Sequence, residues 1–109
     1  MKKSIILLLF FVSFILNAYD GWSGANKVST IRVYSGEYVL ITMANANNPS
    51  QCSDSNYIML KNTNTESGQR QYSALLSAYM AGKQVNLALT GCSQGGTSGY
   101  PLIEQVWLQ

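Results

Sequence analysis

Histidine is absent from this chain of 109 residues. Its absence removes the commonest general base, a common metal ligand and every nucleophile that pairs with a histidine. Charged residues are scarce, at 11% of the chain, and the carboxylates are scattered, with no two of them within four residues of each other. This spacing favours neither a paired acid and base nor an oxygen-rich metal site. We therefore expect no enzyme activity, no metal and no cofactor.

Cysteine is also scarce, because Cys52 and Cys92 are the only two in the sequence. Two cysteines allow a single intramolecular pairing. A disulfide is the usual support of a small exported domain whose hydrophobic core is modest. We expect Cys52 and Cys92 to be bonded to each other; two free thiols or an intermolecular bridge are the alternatives.

The first 18 residues have the pattern of a signal peptide. Lys2 and Lys3 precede an almost continuous apolar run over residues 5–16, and Ala18 provides the small residue that signal peptidase accepts. The run is shorter than the roughly 20 residues that a membrane-spanning helix needs, so a retained anchor is the lesser alternative. We expect cleavage after Ala18, a secreted or periplasmic protein, and no stable membrane insertion after cleavage.

Residues 19–109 remain as one small domain whose formal charge is zero. Two of the seven basic residues leave with the signal peptide, so five basic residues balance five acidic ones. A neutral exported domain has no basic surface with which to bind nucleic acid. Nucleic acid is therefore not an expected partner.

Hydrophobic periodicity predicts five strands and one helix. Alternating or β-branched segments over 28–35, 38–44, 57–61, 84–90 and 102–108 are typical of strands. The helix is indicated by apolar residues at helical spacing, namely Tyr72, Leu75, Leu76, Tyr79 and Met80. Ser67 is placed to cap its start, and Gly82 to end it.

The resulting order is strand, strand, strand, helix, strand, strand. This β-β-β-α-β-β order is that of the five-stranded oligomer-binding (OB) barrel, in which the helix lies between the third and fourth strands. We expect a mainly β fold with one helix, an OB-fold-like barrel over residues 19–109, although other α+β arrangements share the same order. The segment 91–99 is rich in glycine and serine. It lacks the Lys-Ser/Thr end of a phosphate-binding loop, which favours a flexible loop beside the disulfide.

Three short segments resemble a known family of exported bacterial proteins. They are Trp22-Ser23-Gly24, the helix from Tyr72 to Lys83, and the ending Gly91-Cys92, Gly99-Tyr100-Pro101-Leu102-Ile103 and Val106. The chain is similar in these segments to the B subunit of subtilase cytotoxin and to related toxin B subunits. The resemblance implies an OB fold, a homopentameric ring and binding of sialylated cell-surface glycans near the first strand. Because this chain is shorter between Trp22 and its first strand, no site residue is transferred from those toxins.

Aromatic residues other than phenylalanine are abundant in residues 19–109, with seven tyrosines and two tryptophans. Tyrosine offers a flat apolar face for a sugar ring and a hydroxyl for its polar edge. Helical spacing favours a core position for Tyr72 and Tyr79, and we expect the core to take Tyr57 and Trp107 as well.

The candidate ligand-binding residues are Tyr34, Tyr38 and Tyr100. Tyr34 and Tyr38 flank the turn of the first predicted hairpin, and Tyr100 follows the glycine-rich loop. We therefore expect an exported, non-catalytic binding module for a glycan or another surface ligand, with a homo-oligomer implied by the resemblance. The alternative is a periplasmic or secreted structural or accessory protein without a small-ligand site.

Overall fold

The computed structural model describes residues 19–109, and the predicted signal peptide lies outside the described residues. The described part is mainly β with one helix, as expected, and its six strands belong to one sheet. The elements are β1 (Gly21–Trp22), β2 (Asn26–Val33), β3 (Tyr38–Met43), β4 (Ile58–Lys61), α1 (Glu66–Ala81), β5 (Gln84–Cys92) and β6 (Pro101–Leu108). Within residues 19–109, no helix is long and apolar enough to cross a membrane.

The additional strand β1 lies in line with β2. Both strands pair antiparallel with β5, β1 through Trp22 opposite Ala88 and β2 through Asn26 opposite Val85. The interruption between them includes Gly24, whose φ of 92° is in the region that favours glycine. The first predicted strand, over 28–35, therefore lies two residues earlier than expected, and a short strand that was not predicted precedes it.

The strands from β2 to β6 pair in a cyclic order. β2 pairs with β3, and β3 with β4, in antiparallel register. β4 then pairs in parallel with β6 at Met59 and Leu102, and β6 pairs antiparallel with β5. Because β5 also pairs with β2, the succession of pairings returns to its first strand.

The hydrophobic core lies between the inward faces of these strands and one side of α1. Ile41, Leu75 and Leu87 have no exposed surface. The remaining members of the core cluster are also apolar: Val28, Val39, Met43, Ile58, Leu60, Ala78, Val85, Leu89 and Ile103. Burial of this apolar surface is the main stabilising contribution in a domain of this size.

Helix α1 ends as expected but begins at a different cap. The side chain of Thr65, rather than that of Ser67, accepts a hydrogen bond of 3.0 Å from the Gly68 N–H. Gly82 adopts the left-handed conformation, with φ 66°, and closes the helix.

Three aromatic residues expected in the core are more exposed than predicted. Tyr79 is 42% exposed, because the packed side of α1 is narrow and centred on Leu75 and Ala78. Trp107 is 56% exposed on the outer face of β6. Tyr57 is half-buried and precedes β4 rather than lying in the core cluster.

The predicted disulfide between Cys52 and Cys92 is present, with the two Cα atoms 5.6 Å apart. It joins the loop before β4 to the last residue of β5. Backbone hydrogen bonds continue the connection, from Ser53 N to Thr97 O at 2.7 Å and from Asp54 N to Gly99 O at 3.1 Å. The loop that leads to β4 and the loop that leads to β6 are therefore held side by side.

Candidate ligand-binding surface

On the outer face of the sheet, polar and aromatic side chains lie over a small apolar area. Arg32 on β2 lies opposite Leu40 on β3, which lies opposite Met59 on β4. Residues opposite each other in a ladder point to the same face. Leu40 is only 4% exposed but does not belong to the core cluster, so outer-face side chains cover it.

Arg32 is held between two tyrosine rings on this face. Its Nη1 donates a hydrogen bond of 2.8 Å to the Tyr57 hydroxyl. Its guanidinium carbon lies 5.5 Å from the ring centroid of Tyr34 and 5.5 Å from that of Tyr57, which is within the range of a cation–π contact. The hydrogen bond that Arg32 donates to Tyr57 raises the pKa of Arg32, and the electrostatic effect of Tyr34 raises it further.

The charge of Arg32 is not neutralised by a carboxylate among residues 19–109. The ion pair found there joins Arg70 and Glu66, on the exposed side of α1. A guanidinium has five N–H donors in a planar fork that matches a carboxylate, and Tyr57 uses one nitrogen of Arg32. The remaining donors are available for an acidic group of a ligand.

Tyr34 and Tyr38 extend the surface toward the hairpin turn. Their rings are stacked, with centroids 5.1 Å apart and planes inclined by 21°. Together with Gln69 and Tyr72 of α1, the two tyrosines line an open pocket of about 420 Å³. This pocket lies at one end of the outer face, beside the helix.

Tyr100 extends the surface in the opposite direction. Its ring meets that of Tyr57 edge to face, with centroids 5.9 Å apart and planes inclined by 88°. The backbone N–H of Tyr100 donates to Ser93 Oγ at 2.8 Å, and its carbonyl accepts from Ser93 N at 2.8 Å. These bonds hold the residue against the base of the glycine-rich loop.

We call the connected group Tyr38, Tyr34, Arg32, Tyr57 and Tyr100 the arginine–tyrosine surface. The three tyrosines selected from the sequence are all half-buried. Tyr34 and Tyr38 contact each other directly, whereas Tyr100 reaches them through Tyr57 and Arg32.

Arg32 and Tyr57 were not selected from the sequence as candidates. For Arg32 a signal was available, since alternation along the predicted strand 28–35 places it on the same face as Tyr34. For Tyr57 no local signal distinguishes a core tyrosine from one that lies over the outer face.

This arrangement offers aromatic faces and hydrogen-bond donors to a ligand. Tyrosine rings present apolar faces to sugar rings, and a guanidinium presents paired donors to a carboxylate. Within residues 19–109, no group of three or more Cys, Asp or Glu side chains is placed to hold a metal ion.

Comparison of the chain with known proteins finds no matching family model, no matching curated protein and no matching solved structure.

Proposed function

We propose that the chain is an exported, non-catalytic binding domain that recognises an acidic glycan through the arginine–tyrosine surface. The observation that carries the proposal is the position of Arg32. Its guanidinium lies between Tyr34 and Tyr57 on the outer face and has no carboxylate partner within residues 19–109. A cation held in place beside aromatic rings matches an acid group attached to a sugar ring.

An OB-type barrel is part of this proposal. It is supported by the cyclic pairing of β2 to β6, by the parallel contact of β4 with β6, and by the position of α1 between β4 and β5. Barrels of this type bind oligosaccharides on the face of their second and third strands. The loop that joins strands 1 and 2 and the loop that joins strands 4 and 5 flank this face. Those loops correspond here to the turn between Tyr34 and Tyr38 and to the loop that ends at Tyr100.

Export is proposed on two grounds. Residues 1–18 have the signal-peptide pattern, and a disulfide is compatible with a secreted or periplasmic protein. Amino-terminal sequencing of the protein recovered from the periplasm or medium tests the cleavage site, and we expect it to begin at Tyr19.

A homo-oligomer, with a pentameric ring as the form that the toxin resemblance implies, is the proposed assembly. Its support is one edge of β6: within residues 19–109, β4 pairs with this strand only at Leu102, and no other strand lies beside that edge from residue 103 onward. Such an edge can pair with a strand of a neighbouring copy. Light scattering on the mature protein tests the ring, and a monomer mass would remove it.

The binding proposal is tested with the purified, oxidised chain 19–109 on a glycan array that contains neutral, sialylated and uronic-acid glycans. We expect selective binding of acidic glycans, with affinity that falls as salt is raised. The affinity for the best glycan on the array is then measured by calorimetry for Arg32→Gln and for Arg70→Gln. Arg70 is the matched control, because Arg70→Gln removes the same charge at a position away from the arginine–tyrosine surface.

A charged hydrogen bond contributes about 1.5–3 kcal/mol, so we expect Arg32→Gln to weaken binding by about tenfold or more. Arg70→Gln should leave the affinity unchanged. Absence of binding to every glycan on the array, or equal affinities for the two variants, would favour the alternative of a structural or accessory protein.

A further inference from the structure

A second aromatic cluster lies on another part of the sheet. The rings of Trp22 in β1 and Trp107 in β6 have centroids 5.4 Å apart and planes inclined by 56°. Tyr19 meets Trp22 edge to face, with centroids 5.1 Å apart. We call these three residues the tryptophan surface.

The two indoles meet above a small residue of the strand between them. Trp22 lies opposite Ala88 of β5, and Trp107 lies opposite Asn86 of the same strand. Ala88 has no exposed surface, yet it is not part of the core cluster. It is therefore buried on the outer face, beneath the two indoles, and a larger side chain there would separate them.

Covering Ala88 does not explain why Trp107 itself is exposed. Trp107 is 56% exposed, and a large apolar side chain left in water forgoes the stabilisation that burial would give. Its neighbour Leu108 points to the other side of β6, where it lines a small apolar pocket with Ala81 of α1. The exposed apolar residues of β6 thus do not form one continuous patch.

Carboxamides surround the tryptophan surface. Asn86 and Gln105 share the outer face of the rungs that carry the indoles. The Oδ1 atom of Asn86 accepts the Gly24 N–H at 3.1 Å, which leaves its amide nitrogen as a donor. No side-chain hydrogen bond engages Gln105 within the described residues. These groups can donate to and accept from hydroxyls next to an aromatic face.

Three charged residues lie near the tryptophan surface, and one of them, Glu104, is exposed on β6 next to Gln105 at the irregularity between the pairs with Ala88 and Leu89. Lys27 lies opposite Gln84, one rung beyond Asn86 on the same face. Asp20 lies at the other end, where the Gly91 N–H and the Ser50 hydroxyl occupy its carboxylate. The paired positions Trp22–Ala88–Gln105 and Asn86–Trp107 carry indoles and carboxamides but no cation, whereas the arginine–tyrosine surface is centred on Arg32.

We propose that the tryptophan surface is a second binding site, and that its ligand is a neutral carbohydrate. The indole faces stack on the apolar faces of sugar rings, while the carboxamides of Asn86 and Gln105 bond their hydroxyls. An acidic ligand finds no cation on these rungs. A second copy of the chain would be favoured by a continuous apolar patch, and the opposite orientation of Leu108 breaks that continuity.

The chain allows a selective measurement, because Trp22 and Trp107 are its only tryptophans and both belong to this surface. Tryptophan emission of the mature protein is followed during titration with the oligosaccharides of cellulose, chitin, β-1,3-glucan and mannan, and with oligogalacturonate as the acidic probe. The variants are Trp107→Ala, Trp107→Phe and Arg32→Gln. Trp107→Phe retains an aromatic face, and Arg32→Gln changes only the arginine–tyrosine surface.

We expect at least one neutral oligosaccharide to shift the emission, with an affinity that Trp107→Ala lowers by about tenfold and that Trp107→Phe and Arg32→Gln retain. Arg32→Gln should weaken only the binding of acidic glycans, so a failure of the proposed acidic-glycan site would not affect the result at the tryptophan surface. Three outcomes would overturn the proposal. They are an emission that no neutral probe changes, equal affinities for Trp107→Ala and the unmodified chain, and self-association in light scattering that Trp107→Ala abolishes.

Discussion

The Arg32 guanidinium donates a hydrogen bond of 2.8 Å to the Tyr57 hydroxyl, across 25 positions of the chain. The bond connects β2 to the residue that enters β4, just after the loop held by the disulfide. An arginine side chain carries much rotamer entropy, and fixing it before the ligand arrives reduces the cost of binding. Tyr57 therefore acts in the proposed site as a positioning residue for the charge of Arg32.

Removal of the Tyr57 hydroxyl tests this role. Tyr57→Phe keeps the ring that contacts Arg32 but removes the acceptor, which contributes roughly 1 kcal/mol. We expect the affinity for an acidic glycan to fall about fivefold, with little change in melting temperature. Calorimetry on Tyr57→Phe and on Tyr79→Phe makes the comparison, since Tyr79 is an exposed tyrosine on α1. Equal affinities for the two variants would mean that Arg32 does not depend on the hydroxyl.

The disulfide is expected to contribute to global stability as well as to the site. The bond between Cys52 and Cys92 closes a loop with a sequence separation of 40. In the chain-entropy model a loop of that length gives roughly 4 kcal/mol. Urea unfolding of the double variant Cys52→Ser/Cys92→Ser should show a loss of about that size. Coincident unfolding curves for the oxidised and reduced protein would contradict this contribution.

The secondary structure could be predicted because its signals are local. Alternation identified the strands, and helical spacing with a following glycine identified α1 and its end at Gly82. Strand β1 has only two residues, which is too few for a hydrophobic period to appear, and the chain is interrupted at Gly24 before β2 begins. The exposure of Tyr79 was missed because spacing identifies an apolar side of a helix, whereas the sheet determines how wide a part of that side it covers.

The candidate site could be predicted only in part. Tyr34 and Tyr38 were selected because they are neighbours across a turn, which the sequence reveals. The contact of Arg32 with Tyr57 and that of Tyr57 with Tyr100 depend on strands and loops distant in sequence. No local pattern encodes such contacts, since they arise from the pairing of the strands.

A close backbone approach at the start of α1 gives a third prediction. A Cβ atom at Gly68 would collide with the carbonyl oxygen of Asn62. Because the obstacle is backbone, the chain there must shift, so Gly68→Ala should cost about 1–3 kcal/mol. The control is Ser67→Ala, one position earlier and exposed. Urea unfolding of both variants measures the difference, and equal stabilities would show that the turn before the helix adjusts freely.

A buried hydroxyl next to the strand interruption gives a fourth prediction. Ser23 is only 1% exposed. Its Oγ accepts the Leu87 N–H at 3.0 Å and donates to the Gly24 carbonyl at 2.9 Å. Ser23→Ala leaves the Leu87 N–H buried without that acceptor, which costs about 1–3 kcal/mol. Thermal unfolding compares it with Ser77→Ala on the exposed side of α1, and equal melting temperatures would rule the contribution out.

The carboxylate of Asp20 gives a dependence of stability on pH. It accepts hydrogen bonds from the Ser50 hydroxyl and from the Gly91 N–H, and these bonds lower the pKa of Asp20. Folding therefore favours the ionised form. The resulting stabilisation is complete above the unfolded-state pKa of about 3.9 and is lost as the pH falls through the lower folded-state value.

Melting temperatures of the unmodified chain and of Asp20→Asn, measured from neutral pH to about pH 2, test this linkage. We expect the unmodified chain to be the more stable at neutral pH, and the gap between the two to close below about pH 4, because protonation then makes the aspartate a neutral acceptor like the amide. Glu37→Gln, in the exposed hairpin turn, is the control for the change of net charge. A gap that stays constant with pH would assign the effect of Asp20→Asn to its shape rather than its charge. A closing gap instead shows that an ionised Asp20 holds the segment just before β1 against Gly91, beside the disulfide.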